Sequence, residues 1–446
     1  MVFNFKHPKS KRIAKNIWEN VLLKTNQYFS DSQEAMKLSL VEVATYKLRM
    51  NSGSYIYPKE RAREEIRNFA KAIYAIPEIK NSYSFGTVYE SVKYELQSEL
   101  SFIEESNHPR EFEEVLKTLF CRIDSKLKLY DFYFSLEGIK LIGISKIDFG
   151  SIQILEFNQE VMNEVLSTGD DTNQNGTYTE FIEKNFLNRV CIRCRCSGDS
   201  KSSKKLAELR TRETINYFRY LICLLFYKRI HENLLKINVV SETYVDENQV
   251  LAKEAFSGNL SFHWNVTRKP SQDFPVNQER LNEIKEKLYF DEIVRILNMN
   301  SNDRAQLEGC LLTAMYWSGE AQNEFDWDIS FLKYWTALEC IFSHKEKGVA
   351  GALARGISAL AAFSDYQFIT SDEIDVVYSS VKSLYDKRSK IVHRGLRNSV
   401  DEAELTEICK YASWTILSLM SLISVGYRDV AQLDAQIAKL YECRPH

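Results

Sequence analysis

The stretch SLYDKRSKIVHRGLR, residues 383–397, decides how the C-terminal third of this chain is read. Taken as a helix with the residues before it, Ile374, Val377, Val381, Leu384 and Ile391 recur on one stripe, and Arg388 falls on that stripe too. An unpaired charge on a buried seam is costly to desolvate, so Arg388 needs a partner. Upstream, FLKYWTALECIF (331–342) places Leu332, Trp335 and Phe342 on a shared face, with Glu339 at matching spacing. Two opposite charges thus each occupy an apolar seam, and an ion pair between two helices would satisfy both. His393 is the third notable side chain. It stands about 140° round an ideal helix from Arg388, so one straight helix cannot point the two together. Either a distortion or a second copy of the chain would be needed. Gly395 predicts a helix stop just after it, leaving His393 in the last turn. Histidine is the side chain suited to proton exchange near neutral pH, although a helix-end histidine is more commonly just solvated.

Composition frames this reading. The chain has 446 residues, 44% apolar and 27% charged, enough for two or three domain cores. A formal net charge of -3 announces no whole-chain field for nucleic acid or membrane, so a basic site must be local. Lys382, Lys387, Arg388, Lys390, Arg394 and Arg397 face the single acid Asp386, while the region from residue 301 onward is acidic in sum. Positive charge is therefore focused around His393, as suits a phosphate-bearing ligand. Seven prolines and 16 glycines argue for a helix-rich chain. The nine cysteines are an odd number, and the start MVFNFKHPKSKRIAKN has no apolar core; both fit a reducing cytoplasm. YLICLLFY (220–227) and WTILSLMSLISVGY (414–427) fall short of the ~20 residues a bilayer needs, so they are expected to be buried helix faces rather than spans.

The expected fold class is mainly α with a minor β component. Residues 1–127 read as helical scaffold, with KERAREEIRNFAKAIYAI and REFEEVLKTLFCRI alternating charge and apolar groups at helical spacing. Residues 128–270 read as an α+β region. Its stretch 128–157 predicts a small antiparallel meander broken at Glu137-Gly138 and Gly150, and a polar loop, STGDDTNQNGT, follows at 167–177. NRVCIRCRC reads as a strand, and 201–237 as one long helix. KPSQDFP (269–275) reads as a linker. Residues 276–446 read as an all-α bundle with helices near 280–298, 304–318, 327–344, 348–363, 371–394 and 401–425, the fifth capped by Ser371-Asp372-Glu373.

Other candidates carry less. Cys191, Cys194 and Cys196 have zinc-like spacings, yet no second Cys or His pair lies near them, and neither metal nor cofactor is expected. The basic segment Arg193–Arg212 fits a solvated helix face better than a phosphate site at the start of the long helix. Glycine-rich phosphate loops, G-x-S-x-G and H-E-x-x-H do not occur, so ATPase, esterase-like and zincin readings lack support.

The run Arg388-Ser389-Lys390-Ile391-Val392-His393, an R-x4-H pattern late in a helix after Leu384-Tyr385, resembles the signature of HEPN domains, in particular the ApeA-like HEPN group. Trp335-Thr336-Ala337-Leu338-Glu339 and Lys345-Glu346-Lys347 resemble that group's second helix and following turn, so the likeness covers residues 300–430. Ser389 departs from the Asn, Asp or His that many HEPN ribonucleases carry there. The resemblance implies a metal-independent endoribonuclease acting as a homodimer through this domain. It makes Arg388, His393 and Glu339 catalytic, and Lys387, Ser389, Lys390, Arg394, Arg397 and Tyr385 RNA-binding. It also implies an RNA substrate such as tRNA and a role in bacterial antiphage defence with a phage-derived trigger. The alternative it leaves is a non-catalytic HEPN module for dimerisation or for nucleotide or RNA binding.

Overall fold

The structure, a computed structural model, describes residues 8–25, 48–49, 55–56, 58, 60–167, 175–226, 237–239, 250–254, 260–263, 273–324, 326–342 and 348–442. Lys345, Glu346 and Lys347, most of the polar loop (168–174) and most of the linker (269–272) lie outside them. The protein is mainly α with a minor β component: sixteen helices and eleven short strands occur among the described residues. They fall into two compact units, Met1–Tyr130 with Cys196–Leu206 and Glu254–Phe256, and Asp131–Arg195 with Ala207–Lys253 and Ser257–His446.

The first unit is built on α1 (Pro8–Thr25), α2 (Glu60–Tyr74), α3 (Pro77–Ser82), α4 (Phe85–Ser106) and α5 (Phe112–Asp124), beside a two-stranded pair of β1 (Leu48–Arg49) and β2 (Tyr55–Ile56). Amphipathic spacing turns one face of each helix inward. Trp18, Phe69, Tyr83 and Phe112 fill the core, with the rings of Trp18 and Phe69 4.9 Å apart. Glu95 and Glu99 are buried one turn apart on α4 and would be untenable alone; Arg110 bonds them at 2.9 and 2.6 Å.

The second unit contains β3 (Lys128–Glu137), β4 (Ile139–Ile142), β5 (Lys146–Asp148), β6 (Ile152–Phe157), α6 (Gln159–Leu166), α7 (Asn175–Asn185), β7 (Arg189–Gly198), α8 (Ser200–Phe226), β8 (Asn238–Val239), β9 (Val250–Glu254), β10 (Leu260–His263) and β11 (Phe274–Asn277), where elements that cross a boundary between units are given whole. Breaks do occur at Gly138 (φ 82°) and Gly150 (φ 79°), but the strands are not a simple meander. The sheet order is β10-β9-β3-β7-β6-β5, with β7 lying between β3 and β6, and β4 leaves to pair in parallel with β11. Pairing over such separations is set by tertiary packing, which local alternation does not encode. The β4–β11 ladder also explains why residues on either side of the proline-bearing segment at 269–275 share one unit: the Phe274-Pro275 end of that segment is itself a strand.

Two helices, α9 (Gln278–Lys287) and α10 (Phe290–Asn298), replace the single one expected over 280–298. They break at Tyr289, held at φ 51° with its hydroxyl donating to Asp365 at 2.7 Å. Then comes the bundle: α11 (Gln306–Gln322), α12 (Trp327–Phe342), α13 (Val349–Phe363), α14 (Ile374–Arg394), α15 (Glu402–Ser424) and α16 (Val430–Glu442). α15 is buried almost all round and forms its axis. Each large side chain lost from water here, such as Ile408, Ile416 or Met420, contributes about 1.5–3 kcal/mol. α13 comes so close to α12 that a Cβ on Gly356 would stand 2.6 Å from the Phe342 ring, leaving room for glycine alone. The α14 cap is one residue earlier than Ser371-Asp372-Glu373 suggests. Thr370 and Glu373 form a capping box, Ser371–Glu373 is a 3-10 turn, and α14 proper starts at Ile374.

Candidate active site at the end of helix α14

The buried residues of α14 are Ile374, Val377, Val381, Leu384 and Ile391, the stripe read from the sequence. Arg388 lies between the last two with its side chain 23% exposed, so its stem is covered and its head reaches the rim. Glu339, on α12, is 19% exposed, and the Arg388 Nη2 group sits 2.9 Å and 3.0 Å from its two carboxylate oxygens. Leu332, Trp335 and Phe342 share the Glu339 face as expected, the last two buried and Leu332 half-buried. Among the described residues, Nε and Nη1 of Arg388 have no hydrogen-bond partner, which leaves that side of the guanidinium available to an anion.

Tyr385 packs one turn before Arg388, whose guanidinium carbon lies 5.6 Å from the ring centre. The Tyr385 ring in turn meets the fully buried Trp335 indole at 5.3 Å and 85°. Tyr385 is thus committed to the fold. Cys340, the neighbour of Glu339, is no candidate nucleophile: burial, then the Cys310 thiol, push its own thiol up to about 12.

Helix α14 is unbroken to Arg394, where Gly395 (φ 64°) stops it and donates its N–H to the Ile391 carbonyl at 3.1 Å. The distortion that would turn His393 toward Arg388 is therefore absent, and within one chain the two side chains face apart. His393 is exposed, as are Lys390, Arg394 and Arg397; none of the four makes an ion pair among the described residues. Val392 and Leu396 beside them are 47% and 44% exposed. Lys387 differs: its ammonium donates to the Ser399 carbonyl at 2.7 Å and pairs with Glu404, so it ties α14 to the start of α15. Ser389 is half-buried. The turn after the histidine is anchored by Asp328, which accepts from the backbone N–H groups of Ser399 and Val400, both at 3.0 Å. Asp328 and the Lys387–Glu404 pair were not foreseen, because their partners lie up to 72 residues away and follow no local spacing.

The other candidates dissolve into structure. Along β7, Cys194 and Cys196 point to one face and Cys191 to the other, so the three thiols cannot converge on one ion. Burial pushes the Cys191 thiol far up. No group of three or more His, Cys, Asp or Glu placed to hold a metal occurs among the described residues. Arg193 and Arg195 both bond Asp131, at 2.9 and 2.8 Å. Burial would raise the Asp131 pKa, yet the hydrogen bonds from Arg195 and Arg193 outweigh it and hold the carboxyl below its ordinary value. At the start of α8, the Asp199 carboxylate accepts from Ser202 N–H at 2.7 Å, occupying the position a phosphate would need. Among the described residues no helix is long and apolar enough to cross a membrane.

The chain matches no protein-family model, no curated protein and no solved structure.

Proposed function

We propose that the chain is a metal-independent endoribonuclease of the HEPN type, with its site at the end of α14. The observation that carries this reading is Arg388: a guanidinium held at a helix seam by Glu339, with two nitrogen groups left over, on the same helix whose last turn offers His393 among unpaired cations. RNA supplies its own nucleophile, so the protein needs only proton transfer and a cation for the charge growing on the phosphate. The 2′-oxygen attacks the adjacent phosphorus, the bond to the 5′-oxygen breaks, and that oxygen leaves with a proton. His393 moves the protons, Arg388 holds the phosphate, Glu339 holds Arg388, and the ends are a 2′,3′-cyclic phosphate and a 5′-OH. Because α14 is straight, two copies of the chain bring Arg388 and His393 into one cleft. Lys390, Arg394 and Arg397 steer the strand, with tRNA the substrate in this reading, and antiphage defence with a phage-derived trigger the setting in which such an enzyme stays silent until needed.

A second reading, a non-catalytic dimerising or RNA-binding module in the same cellular setting, draws on the same ion pair, since Glu339 and Arg388 also pin α12 to α14. Incubating the purified protein with tRNA and with a generic single-stranded RNA in EDTA separates them. Cleavage that leaves cyclic phosphate and vanishes in His393→Ala is the expected result. Binding without product, unchanged in the variant and after addition of infected-cell extract, would replace the first reading with the second.

A further inference from the structure

We propose that Tyr385, braced by Trp335, is a positioning residue for Arg388, so that the guanidinium is held from two sides and presents its unpartnered edge outward; this rests on the ribonuclease reading for its catalytic meaning. The geometry is a closed four-residue arrangement across two helices. Trp335 and Glu339 stand four apart on α12, and Tyr385 and Arg388 three apart on α14, so each helix offers one aromatic and one charged group on a single face. The carboxylate alone engages only Nη2, about which an arginine of this length can still swing. The Tyr385 ring, 5.6 Å from the guanidinium carbon, supplies the second contact. Tyr385 is itself stopped from turning by the indole 5.3 Å away at 85°, and Trp335 is fully buried and cannot yield. Held between Arg388 and Trp335, Tyr385 acts through Arg388 rather than on RNA directly.

The test uses the full chain with Tyr385→Phe, which keeps the ring, and with Tyr385→Leu and Tyr385→Met, which keep apolar bulk without it. Two variants lacking the ring guard against one failing to fold. The Arg388 side-chain N–H resonance, assigned by its loss in Arg388→Lys, is followed by nitrogen-detected NMR alongside RNA cleavage. The expected result is a dispersed, slowly exchanging Arg388 signal in the wild type and Tyr385→Phe that collapses to the free-arginine position in the Leu and Met variants. In cleavage, those two variants lose about ten- to a hundredfold in kcat with KM little changed, the scale of a misplaced catalytic group, and Phe restores the rate. An Arg388 signal unchanged by Leu and Met, or a cleaving protein whose kcat they leave intact, overturns the proposal. A collapse of the signal in a protein that cleaves neither alone nor after addition of infected-cell extract upholds the positioning and sinks the ribonuclease reading instead.

Discussion

On strand β7, Arg193 and Arg195 point at a carboxylate, whereas in the last turn of α14 and just beyond it Lys390, Arg394 and Arg397 point at solvent. Arg193 and Arg195 share Asp131, and although Arg195 is 48% exposed it is held by two hydrogen bonds of 2.8 Å. Lys390, His393, Arg394 and Arg397 have no such partner among the described residues. Both stretches look alike as strings of basic letters. The difference lies in what long-range folding brings opposite them, and it separates cations that stabilise the chain from cations left to meet a phosphate.

The largest effect expected from that contrast is on activity. His393→Ala, at an exposed helix end, should cut RNA cleavage by about 100- to 10,000-fold while the melting temperature stays put, measured on the same preparation. The mirror experiment is Asp131→Ala, which takes the shared carboxylate from both arginines and leaves Arg193 only its 3.3 Å ion pair with Glu164. It should cost about 3 kcal/mol in urea unfolding, at the low end for a buried pair broken from one side because Arg195 is half in water, and leave RNA binding untouched. The same site sets an acid limit. Because the folded Asp131 pKa lies below its ordinary value, its contribution is complete above the unfolded value of about 3.9 and drains away as pH falls through the lower, folded one; Asp131→Ala should flatten that part of the stability profile. Glu339→Gln should cost no more than about 1 kcal/mol of stability, since the pair is partly exposed, but should lower cleavage more than that loss explains. The smallest change is expected from Lys387→Ala. Its ammonium is already spent on Glu404 and Ser399, so RNA affinity should hold and the melting temperature should drop slightly.

Much of the second unit's bundle was legible beforehand. The α14 stripe, the Gly395 stop, and the facing charges Glu339 and Arg388 follow from spacing and from the cost of an unpaired charge, both of which are local or nearly so. What could not be read depended on distant partners. Nothing around Tyr289 signals that its hydroxyl will reach Asp365 and break a helix, nothing in 128–157 announces that β7 will separate β3 from β6, and Lys387 resembles its free neighbours until Glu404 is placed beside it. The cysteines of β7 are the opposite case, since alternation along a strand is local and sends Cys191 away from Cys194 and Cys196.

The contrast between spent and free cations can be put to one measurement: the affinity for a short single-stranded RNA across a salt series for wild type, Lys390→Glu and Arg195→Glu. Lys390→Glu is expected to weaken binding and make the salt slope shallower by about one phosphate contact, while Arg195→Glu matches the wild-type slope and only melts earlier. Equal affinity in wild type and Lys390→Glu, with the loss appearing in Arg195→Glu instead, would contradict it.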